Sequence, residues 1–197
     1  MQNRKFSQRI GYAFATLIGW KVSVTEPTPA KCVIVGAFHT SGWDLALTLI
    51  LKLSTGLPFR FVVKSDLVHG LQGRILRRMG AVPVDRTTSQ DFVAQVAAAF
   101  AENETFMIAI SPEGSRNQEH FWRTGFYYIA HTANVPVVFG YGDYRRKIVG
   151  LGPLLWPSGD IEADFEIIRT FYAGVTAKYP ENQGDVRTRS QIPPQEA

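Results

Sequence analysis

With 197 residues, 45% of them hydrophobic and 19% charged, the chain has the apolar content for one buried core and is not a disordered polymer. A net charge of +4 favours anionic partners such as lipid head groups or phosphorylated molecules. The single cysteine, Cys32, excludes an internal disulfide and a cysteine-based metal cluster.

Residues 1–24 read as an N-terminal amphipathic helix. Arg4, Lys5 and Arg9 lead into an apolar run, and Phe6, Ile10, Ala13, Phe14 and Leu17 share one helical face. Such a face suits a membrane interface and equally suits packing on a domain. The segment superficially resembles a signal peptide. Lys21 follows at once without a small-residue cleavage site, so it reads as retained. No stretch has the roughly 18 uninterrupted apolar residues that a membrane-spanning helix needs.

Residues 25–179 read as one domain. After the break at Pro27 and Pro29, Cys32-Val33-Ile34-Val35-Gly36-Ala37-Phe38 is apolar without alternation, the pattern of a strand buried on both faces (31–38). A helix follows from about Asp44 and closes at Gly56. Next come a strand at 59–63, a helix capped by Ser65 and running to about Met79, and a short strand at 81–84 whose Pro83 suits an edge or a strand end. Ser89 opens a helix with Phe92, Val96, Ala99 and Phe100 on one face. A buried strand at 105–110 and a helix at 124–133 follow. Strands at 135–141 and 147–150 are joined by a turn around Asp143. The last helix starts at Gly159-Asp160, with Ile161, Phe165, Ile168 and Val175 inward. Pro180 to Ala197 is polar, and is expected to be a disordered or loosely held tail. The alternation predicts an α/β fold: a single domain with a mostly parallel central sheet flanked by helices.

Two buried strands each end in a polar cluster. Behind the first stands His39-Thr40-Ser41-Gly42-Trp43-Asp44; behind the strand at 105–110 stands Ser111-Pro112-Glu113-Gly114-Ser115-Arg116. In a parallel sheet both lie at one edge, where open α/β sheets bind ligands. A carboxylate on one imidazole nitrogen fixes the tautomer and leaves the other free to take a proton from a hydroxyl. Read alone, the stretch is better explained with Asp44 as a helix-start carboxylate and His39 as a loop histidine. Arg116 offers a fork of N–H donors suited to phosphate, or a surface ion pair. Gly80-Ala81-Val82-Pro83-Val84-Asp85-Arg86 also ends a strand with an arginine, which otherwise belongs to a plain strand-to-helix loop.

Together the three stretches resemble the glycerophospholipid acyltransferase family, whose familiar member is 1-acyl-sn-glycerol-3-phosphate acyltransferase. His39 to Asp44 matches its HxxxxD block, Gly80 to Arg86 its second block and Pro112 to Arg116 its Pro-Glu-Gly-Thr-Arg block, with Ser115 for threonine. Order and spacing agree over roughly residues 30–140, which makes 25–179 the acyltransferase domain. Phe38 and Phe139 depart from the usual pattern. Trp122-Arg123-Thr124-Gly125-Phe126-Tyr127 resembles a segment of a compact bacterial subgroup.

The resemblance implies transfer of a fatty acyl group from acyl-CoA or an acyl-carrier protein, as co-substrate, to a hydroxyl of a lysophospholipid-like acceptor. His39 would be the general base and Asp44 would hold it. Arg86 and Arg116 would grip the acceptor phosphate, with Glu113, Gly114 and Ser115 shaping that pocket. It also implies a peripheral protein on the inner, cytoplasmic face of the cell membrane. Arg74, Arg77 and Arg78 form a cationic helix face for coenzyme A phosphates, an acidic carrier or the bilayer, or simply for solvent. An amine or non-glycerol acceptor is the first alternative, and a lipid-binding module without turnover the second. His69, His120 and His131 have no partner at a metal-ligand spacing, so no metal is expected. No nucleic-acid motif is present, and no cofactor fingerprint.

Overall fold

The computed structural model describes residues 6–25, 27–84, 89–115, 118 and 120–191, with the backbone alone at Val84 and 89–91. Seven strands form one sheet: β1 (Lys21–Val24), β2 (Lys31–Ala37), β3 (Arg60–Lys64), β4 (Ala81–Val84), β5 (Phe106–Ile110), β6 (Val137–Asp143) and β7 (Ile148–Leu155). Their order is β1-β7-β6-β2-β5-β3-β4, and among the described residues only β6 and β7 pair antiparallel. The strand β2 lies at the centre. Its side chains alternate between two cores: Val33, Val35 and Ala37 join one, and Cys32 and Ile34 the other. A strand buried on both faces has no polar face to show, which is why its sequence does not alternate. Burial pushes the Cys32 thiol up to about 12, so it is an inert apolar filler.

Helices α1 (Phe6–Leu17), α2 (Trp43–Thr55) and α3 (Gly70–Arg78) cover the face that holds Cys32. Helices α4 (Ser89–Glu102), α5 (Gly125–Thr132) and α6 (Ile161–Tyr172) cover the other. Gly56 caps α2 at φ 70°, its N–H bonded to the Lys52 carbonyl. Asp160 caps α6 by accepting from the Ala163 N–H at 3.1 Å. The chain leaves β2 through α2 towards β3, and leaves β5 through α5 towards β6. The two crossovers run in opposite directions on opposite faces, so a crevice opens between the carboxyl ends of β2 and β5.

Three features differ from expectation. The N-terminal helix ends at Leu17, and Lys21–Val24 form an edge strand that pairs with β7. Ser65 opens a short 3-10 turn to Val68, and α3 begins only after His69, whose extended backbone interrupts the helix. Residues 180–191 are seated on the domain. The Trp122 N–H donates to the Arg187 carbonyl at 2.8 Å, and Arg169 Nε to the Val186 carbonyl at 2.9 Å. Thr188 is buried, and its hydroxyl donates to Glu162 at 2.9 Å. These bonds hold a mostly polar sequence in which Val186 packs against the core.

The structure also decides the direction in which α1 faces, which its sequence leaves open. Its small residues, Gly11 and Ala15, are the buried ones, while Phe6 and Leu17 are 79% and 82% exposed and Ile10 and Phe14 are each 51% exposed. Glycine allows the backbones of α1 and α2 to close up: a Cβ on Gly11 would lie 2.5 Å from the Ser54 nitrogen. Gly11→Ala gains roughly 1 kcal/mol of helix propensity. The clash is with the Ser54 and Leu53 backbone as well as Ser54 Oγ and outweighs that gain, because overpacking costs typically about 1–3 kcal/mol and the backbone cannot turn aside as a side chain can. The expected result is a lower urea midpoint at unchanged slope. An unchanged midpoint would show that α1 is not seated on α2.

Candidate active site

His39 stands two residues beyond the end of β2, and Asp44 lies in the first turn of α2. The tight segment between them turns the carboxylate back, so that Asp44 Oδ2 lies 3.3 Å from His39 Nδ1. Three further bonds shape the loop. The Ser41 N–H donates to Asp44 Oδ2 at 2.7 Å, the Trp43 N–H to Ser41 Oγ at 3.1 Å, and the Tyr179 N–H to Thr40 Oγ1 at 3.2 Å. Nδ1 is thus assigned to the carboxylate, and Nε2 is the nitrogen available for proton transfer.

From β5 the second cluster arrives beneath this loop. Glu113 is buried, and its Oε1 accepts from the His39 backbone N–H at 3.1 Å. Burial pushes its carboxyl up to about 7, against the opposing pull of two backbone N–H groups and the nearby imidazole. Its Oε2 has no hydrogen-bond partner among the described residues. Gly114 adopts φ 69°, and a Cβ there would meet Arg123 Nε at 2.7 Å, so the glycine lets the Arg123 side chain lie against the loop. The Arg123 N–H donates to the Pro112 carbonyl at 2.9 Å. Gly114 and Ser115 line the same cavity as His39 and Asp44.

That cavity has a volume of about 1060 Å³. Its walls are largely apolar, with Ile34, Leu47, Leu51, Phe61 and Leu67 on one side and Phe92, Phe126 and Ile129 on the other. Lys64, Arg123 and Arg189 supply positive charge along it. A large apolar cavity with a few convergent polar groups at one end suits a lipid chain with a polar, anionic head.

The sequence-predicted residues His39, Asp44, Glu113, Gly114 and Ser115 therefore converge. Arg86 and Arg116 lie outside the described residues. Arg74, Arg77 and Arg78 are exposed on α3 and do not line the cavity; Arg77 donates to the Val68 carbonyl at 3.3 Å. Sequence reasoning missed Tyr144, whose hydroxyl donates to Asp44 Oδ1 at 2.6 Å from 100 residues away. It missed Arg189 as well, because the tail was not expected to dock. For Arg123 a signal existed in the Trp122–Tyr127 segment, but nothing in that segment gives it a place at the cavity.

A model of the acyltransferase family matches residues 20–139, a span that holds both described clusters. Among solved structures, the chain is similar to the crystal structure of the 1-acyl-sn-glycerophosphate (LPA) acyltransferase PlsC from Thermotoga maritima. The TM-score is 0.56 and the identity 16%, over 85% of this chain and 76% of that one; at this identity the likeness is one of fold. No curated protein sequence matches the chain.

Proposed function

Because the chain belongs to the acyltransferase family, we propose that it moves a fatty acyl group from acyl-CoA or an acyl-carrier protein to a hydroxyl of a lysophospholipid-like acceptor such as 1-acyl-glycerol-3-phosphate. The observation that carries this reading is the His39–Asp44 pair, 3.3 Å apart, at the polar end of an apolar cavity. In the reaction, His39 Nε2 takes the proton of the acceptor hydroxyl as its oxygen attacks the thioester carbonyl. A C–O bond forms, and the resulting oxyanion collapses with cleavage of the C–S bond. The departing thiolate takes the proton from the imidazolium, so no proton is gained or lost overall. Asp44 stabilises that imidazolium. Glu113 supports the histidine loop from below. The resemblance assigns the acceptor phosphate to Arg86 and Arg116, and Arg123 adds a guanidinium on the cavity wall. The thioester is a co-substrate, and this chemistry calls for no other cofactor.

The test is thiol release from acyl-CoA and acyl-carrier protein against a panel of lysophospholipid, non-glycerol and amine acceptors. The proposal expects the phosphate-bearing lysophospholipid to be turned over fastest. Faster turnover of an amine would reassign the acceptor.

We also propose peripheral attachment to an anionic membrane through α1. Its outward Phe6, Ile10, Phe14 and Leu17 support this, with Arg9 on the same helix. Among the described residues no helix is long and apolar enough to cross a membrane. Replacing Ile10 and Phe14 together by Glu is expected to reduce co-sedimentation with phosphatidylglycerol vesicles severalfold at unchanged melting temperature. Undiminished binding would show that α1 is not the attachment face.

A further inference from the structure

Asp44 is held from three sides. His39 Nδ1 and the Ser41 N–H meet its Oδ2 at 3.3 and 2.7 Å, and the Tyr144 hydroxyl meets its Oδ1 at 2.6 Å. The first two groups belong to the loop that Asp44 closes. Tyr144 comes from the turn between β6 and β7. We propose that Tyr144 is a positioning residue for acyl transfer: it pins one carboxylate oxygen of Asp44 so that the other stays aimed at His39. This inference rests on the reading of His39 as the base.

The hydroxyl is delivered by a fixed support. Trp20 meets the Tyr144 ring edge-on, with centroids 4.9 Å apart and planes at 87°. The Tyr144 N–H donates to the Thr176 carbonyl at 2.9 Å. The ring is therefore tied to the segments after α1 and after α6, neither of which belongs to the histidine loop. Burial, together with the Asp44 carboxylate, raises the phenol well above its ordinary value, so Tyr144 stays a neutral donor wherever an imidazole base works. A bond from O–H to an ionised oxygen is stronger and more directional than one between neutral groups. With both oxygens engaged, the carboxylate cannot rotate away while the imidazole gains and loses its proton. The aromatic contact with Trp20 needs only the ring; the hydroxyl has its role at Asp44.

Tyr144→Phe tests this, because it keeps the ring against Trp20 and removes the hydroxyl alone. Among the described residues, the other titratable or charged groups around the dyad include Glu113 beneath the loop, Tyr179 beyond Tyr144, and Lys64, Arg123, Arg189, Tyr128 and Tyr141 along the cavity. All of them remain in the variant. In thiol-release assays with acyl-CoA and 1-acyl-glycerol-3-phosphate, kcat is expected to fall about tenfold, equivalent to about 1.4 kcal/mol. The acceptor KM stays within about twofold, because no acceptor contact is removed. The acid limb of the kcat/KM profile moves to lower pH, because a carboxylate free to turn away from His39 supports the imidazolium less.

Wild-type kcat with an unmoved acid limb would overturn the assignment. A raised KM at wild-type kcat would overturn it too, since it would put the hydroxyl on the acceptor. His39→Ala is assayed in parallel. If that variant keeps turnover, the base reading fails and takes this inference with it. If it is inactive while Tyr144→Phe behaves as wild type, only the Tyr144 assignment fails.

Discussion

His39→Ala is expected to lower acyl transfer by about 10²–10⁴-fold, the range that general-base catalysis supplies. The loss should be chemical, not structural. Asp44 keeps its bonds from the Ser41 N–H and the Tyr144 hydroxyl, and the backbone N–H of residue 39 keeps the Glu113 carboxylate. The imidazole is only partly buried, its side chain 27% exposed, so its removal leaves no large void in either core. Melting temperature and vesicle binding should therefore match the wild type. A lipid-binding module without turnover predicts the same vesicle binding but no activity in either protein. Turnover within tenfold of wild type in the variant would remove His39 from the reaction.

Glu113→Gln is expected to stabilise the protein at alkaline pH and not at acid pH. Burial raises the Glu113 carboxyl from 4.5 to about 7 in the fold. The unfolded chain ionises this group more readily than the folded one does. The contribution of Glu113 is thus fully present below about 4.5 and is lost as pH rises through about 7. At 1.36 kcal/mol per unit the loss is of order 3 kcal/mol at most, and 1–3 kcal/mol is a fair expectation. Glutamine stays neutral and keeps an oxygen for the His39 N–H. At about 2–4 °C per kcal/mol for a chain of this size, the variant should melt several degrees higher at pH 8 and close to the wild type at pH 4.5. An equal difference at both pH values would mean that Glu113 does not titrate in this window. Such a carboxylate, buried at a cost to stability beneath the histidine loop, fits a site whose geometry takes precedence over stability.

Much of this architecture was legible because local pattern and tertiary environment agree. The uninterrupted apolar runs of β2 and β5 have no reading other than burial on both faces, and His39 and Glu113 are the polar groups their ends deliver. The helices α2 and α6 announce themselves by cap and period, as Gly56 and Asp160 show, and α4 by its apolar period through Val96 and Phe100. What stayed hidden depends on partners far along the chain. The four residues of β1 have an unremarkable sequence and become a strand only because β7 offers an edge. The docking of residues 180–191 rests on hydrogen bonds to Trp122, Arg169 and Glu162, which composition cannot foresee. The apolar stripe of α1 had two opposite readings with the same period. The small residues Gly11 and Ala15 decide between them, because they permit the closer approach to α2. Tyr144 carries no local signal at all, since its importance comes from a single bond across the fold.

The reaction product gives the most direct test of the account. Wild-type protein is incubated with a long-chain acyl-CoA and vesicles containing 1-acyl-glycerol-3-phosphate, and free coenzyme A and lipids are quantified together by mass spectrometry. The account predicts one diacyl lipid for each coenzyme A released, and neither in His39→Ala. Coenzyme A released with free fatty acid in place of the diacyl lipid would make water the acceptor and contradict it.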